Sequence, residues 1–361
     1  MRYYVAPGAT GTGTTWANAG DLQTIVNSII AAPSAGGDEI WALHGIYSIG
    51  SPLVINSNPA PLSIYGGFRG NELTLAQRNA NISVNNPNLP NYFRFPSILD
   101  GGNSNPVINL QGISDFLIDG FVITQGNAAT AAMPNGGGLN VVNSNNIRFE
   151  NLVIMNNHAV GNGGGMHIQA DAVIIKNTLF FSKSTPAGGS GGGLFLDSCD
   201  DIVVVNGLFS DNSADGMGGG LFMFNCTNIQ LIDNTIANNT AIGFGAGVYC
   251  DNSFVRFYNS IISDNVDANP PLPQPNIIAF NCLFSLYNRF NIPNASGLPA
   301  GTNPDFANPA PLSVGGDYHL LPTSPCIDAG DSTYGFPFSA TDLEGRQRII
   351  GVGSDMGCFE Y

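Results

Sequence analysis

Charge is the scarcest property of this 361-residue chain: Lys and Arg number 11 and Asp and Glu 26, together 10% of residues where roughly a quarter is usual. That scarcity excludes a charge-rich helical or coiled-coil protein. Positive charge is scarcer still, because lysine occurs only as Lys176 and Lys183, and the net charge is −15 with a pI near 4.3. Such a surface repels a polyanionic backbone instead of releasing its counterions, which argues against nucleic acid as a partner. No run approaches the roughly 18 apolar residues of a membrane span, and Met1 to Val5 lead into strand-like sequence with no hydrophobic targeting core. Six cysteines are too few for a disulfide scaffold, although Cys326 and Cys358 make one candidate pair. With 43% hydrophobic residues, and Gly and Pro below the share typical of low-complexity chains, the sequence folds.

What the chain has in excess is glycine at a fixed interval. Gly136-Gly137-Gly138, Gly163-Gly164-Gly165, Gly191-Gly192-Gly193, Gly218-Gly219-Gly220 and Gly245-Ala246-Gly247 recur every 27 or 28 residues. A second marker (Asn151, Asn177, Asn206, Asn234, Asn259) follows each triplet, and a third pairs an apolar residue with Asn three positions on. Ile154 leads in this way to Asn157, Phe209 to Asn212, Ile236 to Asn239 and Ile262 to Asn265, whereas Phe180 leads to Lys183. Between the markers lie short runs such as Ile202-Val203-Val204-Val205, bounded by Gly, Asn, Asp and Ser. That is strand and turn chemistry with no room for a helix. One repeat is therefore one coil of three short strands, and about nine stacked coils predict an all-β parallel β-helix, a rod of about 45 Å.

The pattern also divides the chain. Residues 1–38 hold a strand and a capping helix, with Asp21 as N-cap and Leu22, Ile25, Val26, Ile29 and Ile30 on one face. Residues 39–285 form the solenoid, with a long excursion at about 71–96, and 286–361 a loop-rich module expected to close the other end.

Candidate sites follow from side-chain direction. After each triplet the first and third residues are apolar and face inward, so the second faces outward, giving a column of Asn140, His167, Phe195, Phe222 and Tyr249. Three aromatics in line on solvent predict a binding face suited to the apolar faces of sugar rings, with a covering loop or simple packing as the alternative. Beside it, Arg148, Glu150, Lys176, Gln230, Arg256 and Tyr258 are expected outward on the second strand. The acids Asp171, Asp197, Asp200, Asp201 and Asp251 fall at turns, where Asp accepts backbone N–H bonds. Asp197 with Asp201, or Asp211 with Asp215, are the candidate carboxylate pairs for glycoside hydrolysis, which needs two about 5–10 Å apart. His44, His158, His167 and His319 show no metal-ligand spacing. Asp328, Asp331, Asp342 and Glu344, with Asp355 nearby, are candidate Ca²⁺ ligands in the last module, in a spacing unlike an EF-hand; no cofactor is required otherwise. Cys199 and Cys226, one coil apart, read as stacked thiols or a disulfide.

Particular stretches resemble known proteins. The Gly-rich and Phe-x-x-Asn repeats are similar to those of secreted bacterial right-handed parallel β-helix proteins of the polymorphic outer-membrane protein type. Tyr3-Tyr4-Val5, Ile64-Tyr65-Gly66-Gly67-Phe68 with Glu72 and Gln77-Arg78, and Ile98-Leu99-Asp100-Gly101-Gly102 look like that group's opening coils, and Asp119-Gly120-Phe121-Val122-Ile123-Thr124 like its mid-rod entry. The tail, from Asn303-Pro304-Asp305-Phe306 through Ser324-Pro325-Cys326-Ile327-Asp328 to Gly357-Cys358-Phe359-Glu360-Tyr361, resembles the choice-of-anchor Q module. The resemblance implies a right-handed solenoid at the outer cell surface or secreted, in Bacteroidetes-like bacteria, with adhesive roles for some relatives. It transfers no catalytic residue. Polysaccharide lyases on this fold use carboxylates to hold Ca²⁺ and Arg or Lys as base, and only two lysines make a positive cleft for uronates hard to build. The expectation is a protein that binds a glycan or surface partner through its lateral face; the alternative is a polysaccharide-degrading hydrolase or lyase.

Overall fold

Runs such as Leu194–Asp197 and Leu221–Phe224 are too short and too β-prone for helices, and in the computed structural model each becomes one strand of a rung. The structure describes residues 1–58, 60–78, 93–130, 132–183, 188–268, 277–280, 283–287, 303–310, 312, 315–331, 340–349, 351 and 353–361. The core of the expected excursion (79–92) and the proline-rich stretch 269–276 lie outside them.

The rod's strands pair in parallel with their counterparts on the next rung, whereas Phe306–Asn308 and Asp317–Leu320 of the last module pair antiparallel. The first strands align Ile108, Leu139, Met166, Leu194, Leu221 and Val248. The second align Phe116, Ile147, Val173, Ile202, Ile229 and Val255, and the third Val122, Val153, Leu179, Leu208, Thr235 and Ile261. About eight rungs of about 27 residues result, one fewer than the repeat count suggests. Inward side chains from all three strands fill one continuous core, from Val5 through Phe149, Phe180 and Phe209 to Phe257. The helix Leu22–Ala31 seals the first end: Asp21 Oδ1 accepts the Thr24 N–H at 2.9 Å, and Leu22, Ile25, Val26 and Ile29 join that core.

Corners are made by left-handed backbone. Asn151, Asn177, Asn206, Asp233 and Asn259 stack with φ between 46 and 55°, a conformation that Asn and Asp tolerate. Within this column Asn206 donates to Asn177 at 2.9 Å, Asn177 to Asn151 at 3.0 Å and Asn151 to Asp119 at 2.8 Å. Asp233, not Asn234, occupies the fourth place; Asn234 is turned inward, where its amide bonds Gly207 N–H and Val204 C=O. The glycine triplets enter the first strand with Gly191 at φ +67°, and a Cβ on Gly192 would lie 2.5 Å from the Gly219 carbonyl oxygen, so the rungs approach too closely there for a side chain. A buried amide ladder also runs through the rod: Asn212 Nδ2 donates to Asn239 Oδ1 at 2.8 Å, and Asn239 Nδ2 to Asn265 Oδ1 at 2.8 Å.

The described part of the last module lies along the rod's side. Its Phe306, Tyr318, Leu343, Met356 and Phe359 pack on the outward residues of the third strands, Val153, Leu179, Leu208 and Ile261. Tyr318 Oη is 2.7 Å from both Ser210 Oγ and Asn238 Nδ2. The described residues of the module thus cover the apolar third-strand column, while 288–302, where the module begins, lie outside the described residues.

Candidate functional site

The outward column stacks in the expected register: Asn140, His167, Phe195, Phe222 and Tyr249 are successive partners. Its expected exposure is overturned. Phe195, Phe222 and Tyr249 retain 4, 7 and 6% of their surface and form a separate apolar cluster with Met217 against them. Their rings meet nearly edge-on at 4.8 and 5.0 Å. The cover is the glycine corner itself, which folds back over the strand: a Cβ on Gly191 would touch Phe195 Cβ at 2.7 Å and one on Gly218 would touch Phe222 Cβ at 2.8 Å. His167 continues the column, stacked on Phe195 at 5.6 Å and hydrogen-bonded through Nδ1 to Asn140 Oδ1 at 3.0 Å. Burial lowers its pKa to about 4 against the opposing charge of Asp197, so the imidazole is neutral at pH 7. These side chains are packing, and the column offers no aromatic platform to solvent.

The second-strand face is likewise less open than expected. Tyr258 is buried with Val203, Val205 and Ile232. Arg148 is exposed and paired with Glu150, and Arg256 donates to Asn228 Oδ1 at 3.0 Å while lying over the Phe254 ring.

The open concavity sits at the corner between first and second strands. A trough of about 570 Å³ is lined by Ser114, Asn143, Asn145, Gln169, Asp171 and Ser198 from four consecutive rungs. One corner there is a residue short. Four residues (169–172) separate Ile168 from Val173, whereas five (142–146 and 197–201) separate their partners on the rungs before and after, and the register shifts between Val142 and Ser144. Ala170 and Ser144 make a small-residue floor. Amides and hydroxyls at rung spacing can bond the hydroxyls of an extended chain laid along the rod. None of these lining residues except Asp171 stands out in the sequence; the legible signal is the missing corner residue.

The candidate carboxylates divide by role. Asp201 (φ 60°) and Asp211 (φ 58°) are corner formers, and Asp201 accepts from Asn228 at 3.0 Å. Asp171 accepts the Asp200 N–H at 2.8 Å and Asp200 accepts Thr227 Oγ1 at 2.6 Å. Asp197 accepts Ser198 Oγ at 2.9 Å on the trough's rim. Asp215 is exposed in the loop before Gly216, away from the trough lining.

In the last module the acids are engaged locally. Asp342 is fully buried and accepts the N–H groups of Glu344, Arg346 and Glu360 at 3.0, 2.7 and 3.0 Å. Glu344 bonds Arg346 at 2.8 Å and His319 Nε2 at 3.2 Å, while His319 Nδ1 meets Asp317 at 2.6 Å. Burial alone would lower the His319 pKa, but the two carboxylates outweigh it and raise the value to about 9. Asp328 accepts the Gly353 N–H at 2.9 Å, and the Asp331 N–H donates to Asn259 at 2.8 Å. Among the described residues no three His, Cys, Asp or Glu side chains are grouped to hold a metal ion, so Asp328, Asp331, Asp342 and Glu344 are not brought together. The expected Cys326–Cys358 bond is absent: Cys358 carries a buried thiol whose pKa burial pushes up to about 12, and it packs as a small apolar residue in the module's core. Cys199 and Cys226 are stacked thiols, and their mutual hydrogen bond with burial pushes Cys199 up.

The rod's geometry has a match among family models. Residues 97–269 match the family described as "Right handed beta helix region". No curated protein matches the sequence. Among solved structures, pectate lyase Pel9A shares the fold over 99% of this chain and 96% of its own, at 15% identity and a TM-score of 0.51. A rhamnogalacturonan lyase aligns over 83% of this chain and 84% of its own (11% identity, TM-score 0.42). The alginate lyase from Paenibacillus sp. str. FPU-7 aligns over 79 and 95% (11% identity, TM-score 0.39). What the first of these shares with the present chain is the β-helix itself.

Proposed function

We propose that this protein acts on an extended polysaccharide seated along the first-corner trough. The observation that carries the reading is the trough: a solvent-open channel crossing four rungs, with hydroxyl and amide groups repeated at rung spacing and no apolar platform. Of the two forms this takes, degradation of the polymer draws more support than adhesion, because the fold runs nearly end to end with that of a pectate lyase. In the degrading form Asp171 and Asp197, on the lining and the rim, are the carboxylates to test. Extended polysaccharides of walls and matrices lie outside cells, so a secreted or outer-surface location belongs to the same proposal; no helix among the described residues is long and apolar enough to cross a membrane.

Asn145→Trp and Ser114→Trp fill the channel from exposed lining positions and leave the core untouched. Affinity electrophoresis on polysaccharide gels should show retardation of the wild type that both variants lose. Reducing-end release, or absorbance of unsaturated products, abolished by Asp171→Asn or Asp197→Asn identifies the degrading form. Full retention of binding by both tryptophan variants removes the trough from the function.

A further inference from the structure

The trough's electrostatics narrow its ligand. Six of its seven polar lining side chains are uncharged, the seventh is Asp171, and none is a cation. The same corner carries further carboxylates, Asp115, Asp200 and Asp201, each already accepting a bond from a neighbouring Asn or Thr. Of the cations on the adjoining strand, Arg148 is held by Glu150 and Arg256 by Asn228 and the Phe254 ring, and the third, Lys176, is not part of the lining. The whole chain adds a net charge of −15. A polyuronate laid along this channel would bring a carboxylate per sugar against a row of carboxylates with no guanidinium or ammonium among the lining groups, and like charges that close repel. Ser, Asn and Gln pair equally well with neutral hydroxyls.

Resting on the glycan reading above, we propose that the trough selects a polysaccharide free of carboxylate and sulfate groups, which sets its specificity apart from the pectate of the lyase whose fold it shares. The repulsion is partly screened by salt, because the trough is open to solvent.

Charged and uncharged polymers on one backbone test this with the intact chain: polygalacturonate against its fully methyl-esterified form, and carboxymethylcellulose against hydroxyethylcellulose. The uncharged member of a bound pair is expected to bind about tenfold more tightly at low ionic strength, with the gap narrowing in physiological salt. Asp115→Asn combined with Asp200→Asn, which keeps the acceptor oxygens and removes two flanking charges, should improve binding of the charged member about threefold. Equal or tighter binding of the charged member at low salt overturns the inference. Failure of all four polymers to bind instead overturns the glycan reading, and the specificity with it.

Discussion

The buried amide ladder has a gap that can be filled. In the strand Met166–Lys183, Lys183 is in register with Asn212, at the place where the following rungs carry Asn239 and Asn265. Each ladder amide donates to the Oδ1 of the next rung, and Asn212 Oδ1, with no amide before it, is buried without a hydrogen-bond partner. A buried acceptor left in that state costs about 1–3 kcal/mol. Lys183→Asn puts a donor opposite it, with expected stabilisation of about 1–2 kcal/mol. At about 2.1 cal/mol/K per residue of unfolding entropy this raises the melting temperature by about 1–3 °C. Calorimetry of wild type, Lys183→Asn and Lys183→Ala reads it. The reasoning fails if the Asn variant melts at or below wild type, or if the Ala variant, which removes the lysine and supplies no amide, gains as much.

Four further outcomes follow from other contacts. His319 has a folded pKa near 9 against an ordinary 6.5, so its contribution is complete below about pH 6.5 and lost as pH rises through 9; Glu360, pushed up to about 8 by burial, loses stability in the same direction from 4.5 upward. Protection factors, which remove the base catalysis of exchange itself, should therefore fall for the amides of 317–320 and 353–361 between pH 6.5 and 9, and His319→Gln should flatten that fall. Phe222→Ala is expected to cost about 3 kcal/mol in urea titrations while leaving glycan affinity within twofold, since the ring packs beneath a loop; selective loss of affinity restores the aromatic face as a site. Tyr318→Phe removes the bonds to Ser210 and Asn238 and should destabilise by about 1–2 kcal/mol, measured the same way. Cys199, Cys226 and Cys358 should resist iodoacetamide in the native protein and all react in denaturant without reductant; protection of Cys358 until reduction would mean that it is disulfide-bonded.

The architecture was legible because its determinants are local and repeat. Left-handed corners demand Gly, Asn or Asp, and inward positions demand apolar residues, so both leave periodic marks in the chain. The same locality hides what depends on a departure from the period. Phe195, Phe222 and Tyr249 have the outward direction that alternation implies, yet their burial is decided by a corner folding back, which no residue in the strand encodes. Asp201 and Asp211 look like chemistry in a list of acids and prove to be turn formers once their φ values are known. The trough lies where one corner is a residue short between Ile168 and Val173, and its lining is mostly ordinary Asn, Gln and Ser. The docking of the module was invisible for a different reason: Tyr318 and Ser210 are 108 positions apart.

Besides its apolar packing along the third strands, that lateral module is pinned by polar contacts to one corner column on three consecutive rungs. Asn206 meets Arg348 and the Thr341 carbonyl, Asp233 lies 3.8 Å from Arg348, and Asn259 meets Asp331 and Gly357. It thus behaves as a gauge clamped across a fixed span. A duplicated repeat spliced in ahead of the rungs that the module covers would lengthen the molecule and leave the clamp seated, whereas the same duplication between Asn206 and Asn259 would pull its jaws off their marks.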